Sequence, residues 1–180
     1  MILKIVYIVK LTRIGGETLD IKFKEVFDLY KNDIYRLSYS YTKSFAESDD
    51  ITQNVFIKLY NHQEMLEKDN NEIKKWLIKV TINESKTFLK SLWRKRVTLF
   101  DPNENDKVKG EVYEKNESIL DEILKLPKKY RTIIFLYYYE DYKIKEIKEI
   151  LNISETNIQS ILLRARKKLK EMLKEEIENE

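Results

Sequence analysis

Residues that interrupt helices are nearly absent from this sequence. Its 180 residues include three glycines and two prolines: Gly15, Gly16, Gly110, Pro102 and Pro127. Lys, Glu, Leu and Ile fill the long stretches between them, and most of these residues favour helices. Residues 17–101 contain no glycine or proline at all. The sequence therefore predicts an all-α fold.

Apolar residues in the first half recur at steps of three and four, as on one face of an amphipathic helix. The first such series is Phe23, Val26, Phe27, Tyr30, Ile34, Leu37 and Tyr41. Ser44 is suited to cap the next helix, with Glu47 as the partner in a capping box. We predict a loop at Asn61–Glu72, where the sequence is polar, and a further helix over Ile73–Lys95.

The periodic pattern stops between Val97 and Asn116. This segment holds Pro102, Gly110 and a polar run, which indicates a flexible linker. Helical pattern resumes near Ile119, and Pro127 suits the first position of a helix because its missing N–H costs nothing there. We predict two small helical domains, at residues 20–96 and 117–175, joined by a linker at 97–116.

The residue types present exclude several kinds of site. There are no cysteines and a single histidine, His62. A disulfide framework, a thiolate zinc site, a cysteine nucleophile and a Ser–His triad are therefore not expected. We expect no cofactor, no metal and no catalysis, and the lack of cysteine suits a reducing cytoplasm.

A helix-turn-helix is predicted near the end of the chain. Lys143–Leu151 forms a short amphipathic helix, Asn152 tolerates the left-handed turn, and Ser154 caps the next helix. That second helix buries Ile158, Leu162, Ala165, Leu169 and Leu173. Its other face suits base edges and phosphates in a DNA major groove. The residues of this face are Thr156, Asn157, Gln159, Ser160, Leu163, Arg164 and Lys167. If Gln159 does not recognise bases, the apolar side chain of Ile161 or Leu163 would do so instead.

Basic residues cluster on two predicted helices although the net charge is only +3. One cluster is Arg94, Lys95 and Arg96. The other lies in the segment Arg164–Lys170. Such clusters are typical of nucleic-acid binding, but a solvated helix face in an unrelated bundle also produces them.

The C-terminal motifs resemble the DNA-binding domain of sigma factors that recognises the −35 promoter element. They are Ile147–Ser154, Ile158–Ser160 and Leu162–Leu169, and Leu126–Arg131 with Phe135–Glu140 resembles the entry helix of that domain. The chain departs from the family at Ile161, where Arg is common, and at Lys148, where a small residue is common.

The N-terminal motif Ser48–Phe56 is similar to the polymerase-binding helix of the same family. The resemblance implies that Asp49, Asp50 and Gln53 contact the clamp helices of the largest catalytic subunit and that Phe56 is partly packing. Asn54 stands in this interface where the family usually has an acid. An acidic helix start would have the same composition without any partner, because carboxylates are favoured there by the helix dipole.

Trp76–Asn83 resembles the helix that leads into recognition of the −10 element, with Thr87 replacing a common Asp. The resemblance implies that Asn83 and Asn61–Glu72 contact the separated non-template strand, and that Arg94, Lys95 and Arg96 contact phosphate. Together these motifs identify the chain as a member of the extracytoplasmic-function (ECF) class of the sigma-70 family.

Membership in that class implies core RNA polymerase, promoter DNA and an anti-sigma factor as partners. It also implies that the linker Val97–Asn116 threads through the polymerase near its active-centre and RNA-exit channels. An autonomous helix-turn-helix repressor or activator is the alternative, and it would bind a palindromic duplex as a dimer without polymerase.

The segment before residue 19 lies outside the resemblance. Met1–Leu11 is too short to span a bilayer, which needs about 20 apolar residues, so we expect no membrane insertion.

The codons for Gly15-Gly16-Glu17 can spell a ribosome-binding sequence, and Leu19 can be encoded by a TTG start codon. The other interpretation is that the first residues form a real strand or helix that packs Ile5, Tyr7 and Ile8 on the first domain. We predict that the natural protein begins at residue 19. Intact-mass measurement from the native host tests this, and a mass that includes Met1–Thr18 would contradict it.

Overall fold

The computed structural model describes residues 17–98 and 123–178, and side-chain burial for residues 21–91 and 123–174. All regular elements among these residues are helical, which confirms the all-α prediction. They are α1 (Glu17–Thr42), α2 (Phe45–Asn61), a 3₁₀ helix (Gln63–Glu67), α3 (Asn70–Thr98), α4 (Lys128–Ile134), a π-helix (Phe135–Tyr139), α5 (Ile144–Leu151) and α6 (Glu155–Glu178).

The chain divides into two compact units, Met1–Lys109 and Gly110–Glu180. The division falls inside the predicted linker at 97–116, although α3 continues to Thr98. Most of that linker, and the segment containing Ile5, Tyr7 and Ile8, lie outside the described residues. The domain boundaries therefore stay a prediction.

Helices α1, α2 and α3 pack together around an apolar core in the first unit. Phe23, Phe27 and Phe56 are buried, and the Phe27 and Phe56 rings lie 4.8 Å apart, edge to face. Such edge-to-face pairs add about 0.5–1.5 kcal/mol beyond the burial of their surface. The periodic residues predicted for α1 are all buried, so that prediction is confirmed.

Small hydroxyl residues line the contact between α1 and α2. Ser38, Ser48 and Thr52 are fully buried. The Ser38 hydroxyl donates to the Ser48 carbonyl at 3.2 Å, and the Thr42 and Ser48 hydroxyls lie 2.7 Å apart. Because these short side chains satisfy one another and nearby carbonyls, α2 packs closely against α1 without leaving buried polar atoms unpaired.

The Ser44 cap predicted at the start of α2 is present, but the capping box with Glu47 is not, because the Ser44 N–H donates to the Thr42 hydroxyl at 3.3 Å. Lys43 adopts φ 55°, and the Ser44 hydroxyl accepts a hydrogen bond from the Glu47 N–H at 3.4 Å. That bond satisfies one of the N–H groups left unpaired at the start of a helix. The Ser44 cap therefore fixes the start of α2, the helix that carries the predicted polymerase-binding segment Ser48–Phe56.

The predicted loop at Asn61–Glu72 is wrong in part. Helix α2 ends at Asn61 with His62 as its C-cap, residues Gln63–Glu67 form a 3₁₀ helix, and Leu66 in that helix is buried. Helix α3 then starts at Asn70 because the Asp69 carboxylate accepts from the N–H groups of Asn71 and Glu72 at 2.8 and 2.9 Å. The apolar pair Met65 and Leu66 in this polar run lets the segment pack on the core, with Leu66 buried and Met65 half-buried.

In the second unit, α6 packs on α4 and on α5. Pro127 precedes α4 as its N-cap rather than forming its first residue, one position from the prediction. Ile147 and Ile150 of α5 are buried, whereas Ile144 and Leu151 are half-buried.

The predicted helix-turn-helix is present. Asn152 lies in the left-handed region at φ 53° and ψ 51°, and its N–H donates to the Lys148 carbonyl at 2.8 Å. The Ser154 hydroxyl accepts from the Asn157 N–H at 3.3 Å and caps α6. Both turn residues thus act as their types predict.

We predict that Asn152→Ala destabilises the second unit by about 1–2 kcal/mol, because a Cβ-bearing residue without a local polar group is unfavourable in the left-handed region. Asn152→Gly keeps the conformation and the N–H, and we expect little loss. Hydrogen exchange of the α5 and α6 amides measures both changes. Equal protection in the two variants would show that the left-handed residue does not limit the stability of the turn.

Candidate polymerase and DNA interfaces

Four of the five residues predicted to bind polymerase lie together on the outside of α2. We call Asp49, Asp50, Gln53 and Asn54 the α2 patch. Asp50 and Asn54 are exposed, and Asp49 and Gln53 are half-buried. Asp49 and Gln53 are four residues apart, as are Asp50 and Asn54, so each pair is adjacent on the helix surface. Ile51, Val55 and Leu59 of the same helix are buried.

Phe56 is not part of that surface. Its side chain is 0% exposed and packs edge to face against Phe23 and Phe27. The prediction that it contacts polymerase is therefore wrong for this structure. Its apolar ring is buried because Phe56 lies on the core side of α2, so it supports the patch from behind.

Asn83 lies exposed on α3, next to a bridge to α2. The ammonium of Lys58 in α2 pairs with the carboxylate of Glu84 in α3. At the start of the 3₁₀ helix, His62 Nδ1 lies 2.8 Å from the Lys58 carbonyl, and its ring centroid lies 5.7 Å from that of Trp76. Asn83, the 3₁₀ helix and Trp76 belong to the same unit. The side chains of Arg94, Lys95 and Arg96 lie outside the described residues.

The DNA-binding residues predicted on α6 share its solvent side, which we call the α6 polar face. Gln159 and Ser160 are exposed, as are Thr156, Arg164 and Lys167, while Asn157 is half-buried. Leu163 is 69% exposed among these polar neighbours. An apolar side chain in this setting suits the methyl group of thymine.

Ile161 belongs to the opposite, core side of α6. It is 1% exposed, and Ile158, Leu162 and Ala165 are buried beside it. The alternative in which Ile161 reads bases is therefore wrong. Its position, three residues after Ile158 and four before Ala165, is that of the buried stripe.

Arg166 differs from the other basic residues of α6. Its Nε donates to the Tyr138 hydroxyl at 2.6 Å, and its guanidinium lies 5.5 Å from the Tyr138 ring and 5.7 Å from the Tyr137 ring. These contacts join α6 to the π-helix. Arg166 is thus bound within its own unit, whereas Arg164 and Lys167 lie on the α6 polar face.

An open groove of about 720 Å³ runs beside the start of α6. Glu155 and Gln159 line it from α6, and Lys145 and Tyr138 are among the residues of its other walls. Lys148 Nζ reaches across the turn to Glu155 Oε1 at 3.5 Å. Glu155 is not among the residues predicted to bind DNA, although it stands four residues before Gln159 and therefore lies beside it on α6.

Residues 17–98 and 123–178 contain no group of three or more His, Cys, Asp or Glu side chains placed to hold a metal ion. None of their helices combines the length and the apolar character needed to cross a membrane.

Two family models match the chain, one for each unit. Residues 26–95 match Sigma-70 region 2, and residues 116–169 match Sigma-70 region 4. The α2 patch and Asn83 fall in the first match, and the α6 polar face falls in the second. A lone helix-turn-helix regulator would account for only the second match, so that alternative is not favoured.

Relatives of known identity match over nearly the whole chain. The ECF RNA polymerase sigma factor SigM of Bacillus subtilis (strain 168) is 31% identical over 162 residues, which cover 87% of this chain and 98% of SigM. The RNA polymerase sigma factor SigV of the same organism is 31% identical over 149 residues, or 82% of this chain and 88% of SigV.

A solved structure with the same fold is the sigma factor RpoE in complex with the anti-sigma factor NepR from Bartonella quintana. Its TM-score is 0.69 at 20% identity, covering 84% of this chain and 96% of RpoE. CnrH in complex with the cytosolic domain of CnrY has a TM-score of 0.58 at 18% identity, covering 84% of this chain and 87% of CnrH.

The family is one of non-enzymatic transcription initiation factors. Both family models, the curated relatives and the two-unit helical fold agree with the resemblance seen in the motifs. The chain belongs to the ECF class of RNA polymerase sigma factors, which bind core RNA polymerase and direct promoter-specific initiation of transcription.

Proposed function

We propose that the α2 patch is the surface through which this sigma factor binds the clamp helices of core polymerase. The observation that supports this most is the separation of α2 into a buried apolar face and a polar face with two carboxylates and two amides. Polar groups held on a rigid helix pair with a partner at little entropic cost. The packed hydroxyls of Ser38, Ser48 and Thr52 hold α2 in place behind them.

We further propose that the α6 polar face reads the −35 element. Thr156, Gln159 and Ser160 lie near the helix start, where side chains of a recognition helix reach base edges. Arg164 and Lys167 follow one and two turns later and suit backbone phosphates. Lys167 Nζ also lies 3.9 Å from Glu171 Oε1, but this ion pair is exposed and contributes little to the stability of the helix.

The −10 element is proposed to bind the first unit. Asn83 is exposed on α3, and its amide offers both a donor and an acceptor to an unpaired base. The 3₁₀ helix is proposed to contact the same strand, with Arg94, Lys95 and Arg96 on phosphate. Domains at 20–96 and 117–175 would then hold the two promoter elements, with the linker 97–116 passing through the polymerase.

We propose an anti-sigma factor as a third partner and the cytoplasm as the place of action. RpoE is held by the anti-sigma factor NepR, and CnrH is held by the cytosolic domain of CnrY. Since this chain shares their fold, a protein that covers one or both units is the form of control we expect. The absence of cysteine supports a reducing compartment. No catalytic activity is proposed for the chain.

We predict that the double change Asp50→Ala and Gln53→Ala weakens the complex with core RNA polymerase by about 2 kcal/mol or more, because polar contacts buried in an interface are lost. Titration of labelled protein with core enzyme measures the dissociation constant. Glu25→Ala, which removes an exposed carboxylate from α1, is the matched control. Unchanged affinity in the double variant, with helical circular dichroism intact, would remove α2 from the interface.

We predict that Gln159→Ala changes which bases are accepted in the −35 element, whereas Lys167→Ala weakens binding to all sequences alike. The Lys167 change lowers the salt slope of DNA binding by about one unit, because one phosphate contact is lost. Binding of holoenzyme to promoter variants at several salt concentrations measures both effects.

The control for the DNA variants is Lys129→Ala, which removes an exposed lysine from α4, and we expect its salt slope to match that of the unchanged protein. If Gln159→Ala leaves base preference untouched, Gln159 is not a base reader. Leu163 would then be the residue to test.

A further inference from the structure

Arg166 of α6 is held by two tyrosines of the π-helix. Its Nε donates to the Tyr138 hydroxyl at 2.6 Å, and its guanidinium lies 5.5 Å from the centroid of the Tyr138 ring and 5.7 Å from that of Tyr137. The two tyrosine rings pack edge to face, with their centroids 5.0 Å apart. We call Arg166, Tyr137 and Tyr138 the Arg166 cluster.

The Arg166 cluster lies where α6 leaves the apolar core. Among the described residues of this helix, Ala165 is the last that is buried, and Leu169, one turn later, is half-buried. The buried stripe stops α6 from rotating about its own axis, but it does not set the tilt of the turns that follow. Arg166 is the next residue after Ala165, so its contact with Tyr138 holds the helix at the point where close packing ends.

The π-helix gives Tyr138 a firm position. The Glu140 N–H donates to the Phe135 carbonyl at 3.2 Å, five residues back, which is the π-helical pattern. Phe135 is buried, and its ring stacks on that of Tyr139 at 5.6 Å. The segment that carries Tyr138 is therefore anchored in the core of the unit, and Arg166 ties α6 to this anchored segment.

The Arg166 cluster is on the side of α6 that faces the groove. Tyr138 and Gln159 both line the groove. Arg166 stands seven residues after Gln159, which is about two helical turns, so the two side chains leave the helix in similar directions. To bind a phosphate, the Arg166 guanidinium would have to give up its hydrogen bond and its aromatic contacts. Arg164 and Lys167 are exposed on the α6 polar face and suit phosphates better.

We propose that Arg166 is a positioning residue for the α6 polar face and does not itself contact DNA. By holding α6 to Tyr138, it sets the tilt of the helix and so the angle at which Gln159 meets the −35 element. Hydrogen bonds weaken steeply away from their preferred distance and angle, so a change of tilt lowers the selectivity for bases. This inference rests on the proposed function of the α6 polar face.

Transcription by reconstituted holoenzyme from a promoter library randomised across the −35 element tests the proposal. Selectivity is the ratio of transcription from the preferred sequence to transcription from its single-base variants. We expect Arg166→Ala to lower this ratio by about five-fold, the lower end of what one good base contact contributes. Tyr138→Ala gives a similar loss, and the double variant loses no more, because each change removes the same contact.

Conservative variants separate the geometry of Arg166 from its charge. Arg166→Lys keeps the positive charge but loses the Nε donor and the planar guanidinium, so we expect it to be as unselective as Arg166→Ala. Tyr138→Phe keeps the ring and loses the hydroxyl, and we expect an intermediate loss. The salt slope of DNA binding stays that of the unchanged protein in all these variants, whereas a lost phosphate contact would lower it by about one unit.

Two controls accompany these variants. Lys168→Ala removes an exposed basic residue two positions after Arg166, and we expect it to keep the selectivity of the unchanged protein. Thermal melting of the full chain reports on folding. We expect the melting temperature of Arg166→Ala to stay near that of the unchanged protein, because Arg166 and Tyr138 are exposed and contacts between exposed groups contribute little to stability.

Three results would overturn the inference. The first is a selectivity that Arg166→Ala leaves unchanged. The second is a salt slope lowered by about one unit in Arg166→Ala and restored by Arg166→Lys, since Arg166 would then be a phosphate contact. The third is a loss of selectivity that comes with a clearly lower melting temperature, which indicates a folding role. If Gln159→Ala and Lys167→Ala are also without effect, the proposed function of the α6 polar face fails as well.

Discussion

The packing of α6 against its own unit decides which side of that helix is open to DNA. Ile158, Ile161, Leu162 and Ala165 form one buried stripe. Burying each large apolar side chain contributes about 1.5–3 kcal/mol, far more than an exposed polar contact. The helix cannot rotate without exposing this stripe, so its polar face is fixed in direction before any DNA is bound.

The same constraint acts on α2 in the first unit. Val55, Phe56 and Leu59 are fully buried, and the hydroxyls of Ser38 and Thr52 lie 3.3 Å apart at the contact with α1. The α2 patch is therefore presented by a helix that is fixed along its whole buried side. In both units the proposed binding surface is the face that packing leaves exposed, and rigid presentation reduces the entropy lost on binding.

Many of the helices, caps and turns could be predicted from the sequence because they follow from local rules. The apolar spacing of α1, the Ser44 and Ser154 caps and the left-handed Asn152 each depend on residues within one or two turns. The exposed positions of the α6 polar face follow from the same spacing.

Other features depend on contacts between distant residues and could not be predicted. Leu66 folds a polar run onto the core as a 3₁₀ helix, and Phe56 is buried by aromatic rings of α1. The π-helix at Phe135–Tyr139 brings Tyr138 to Arg166, 28 residues away, and so binds one basic residue of the cluster within its unit. Spacing alone does not reveal which basic residue has such a partner.

As a sigma factor, this chain gives core polymerase its choice of promoters. Transcription of genomic DNA from the native host by core RNA polymerase and this protein, with sequencing of the RNA 5′ ends, tests it most directly. We predict starts at a limited set of promoters that share a −35 and a −10 element and that are silent with core enzyme alone. Binding of the protein by itself to palindromic sites, with no new starts, would contradict the account.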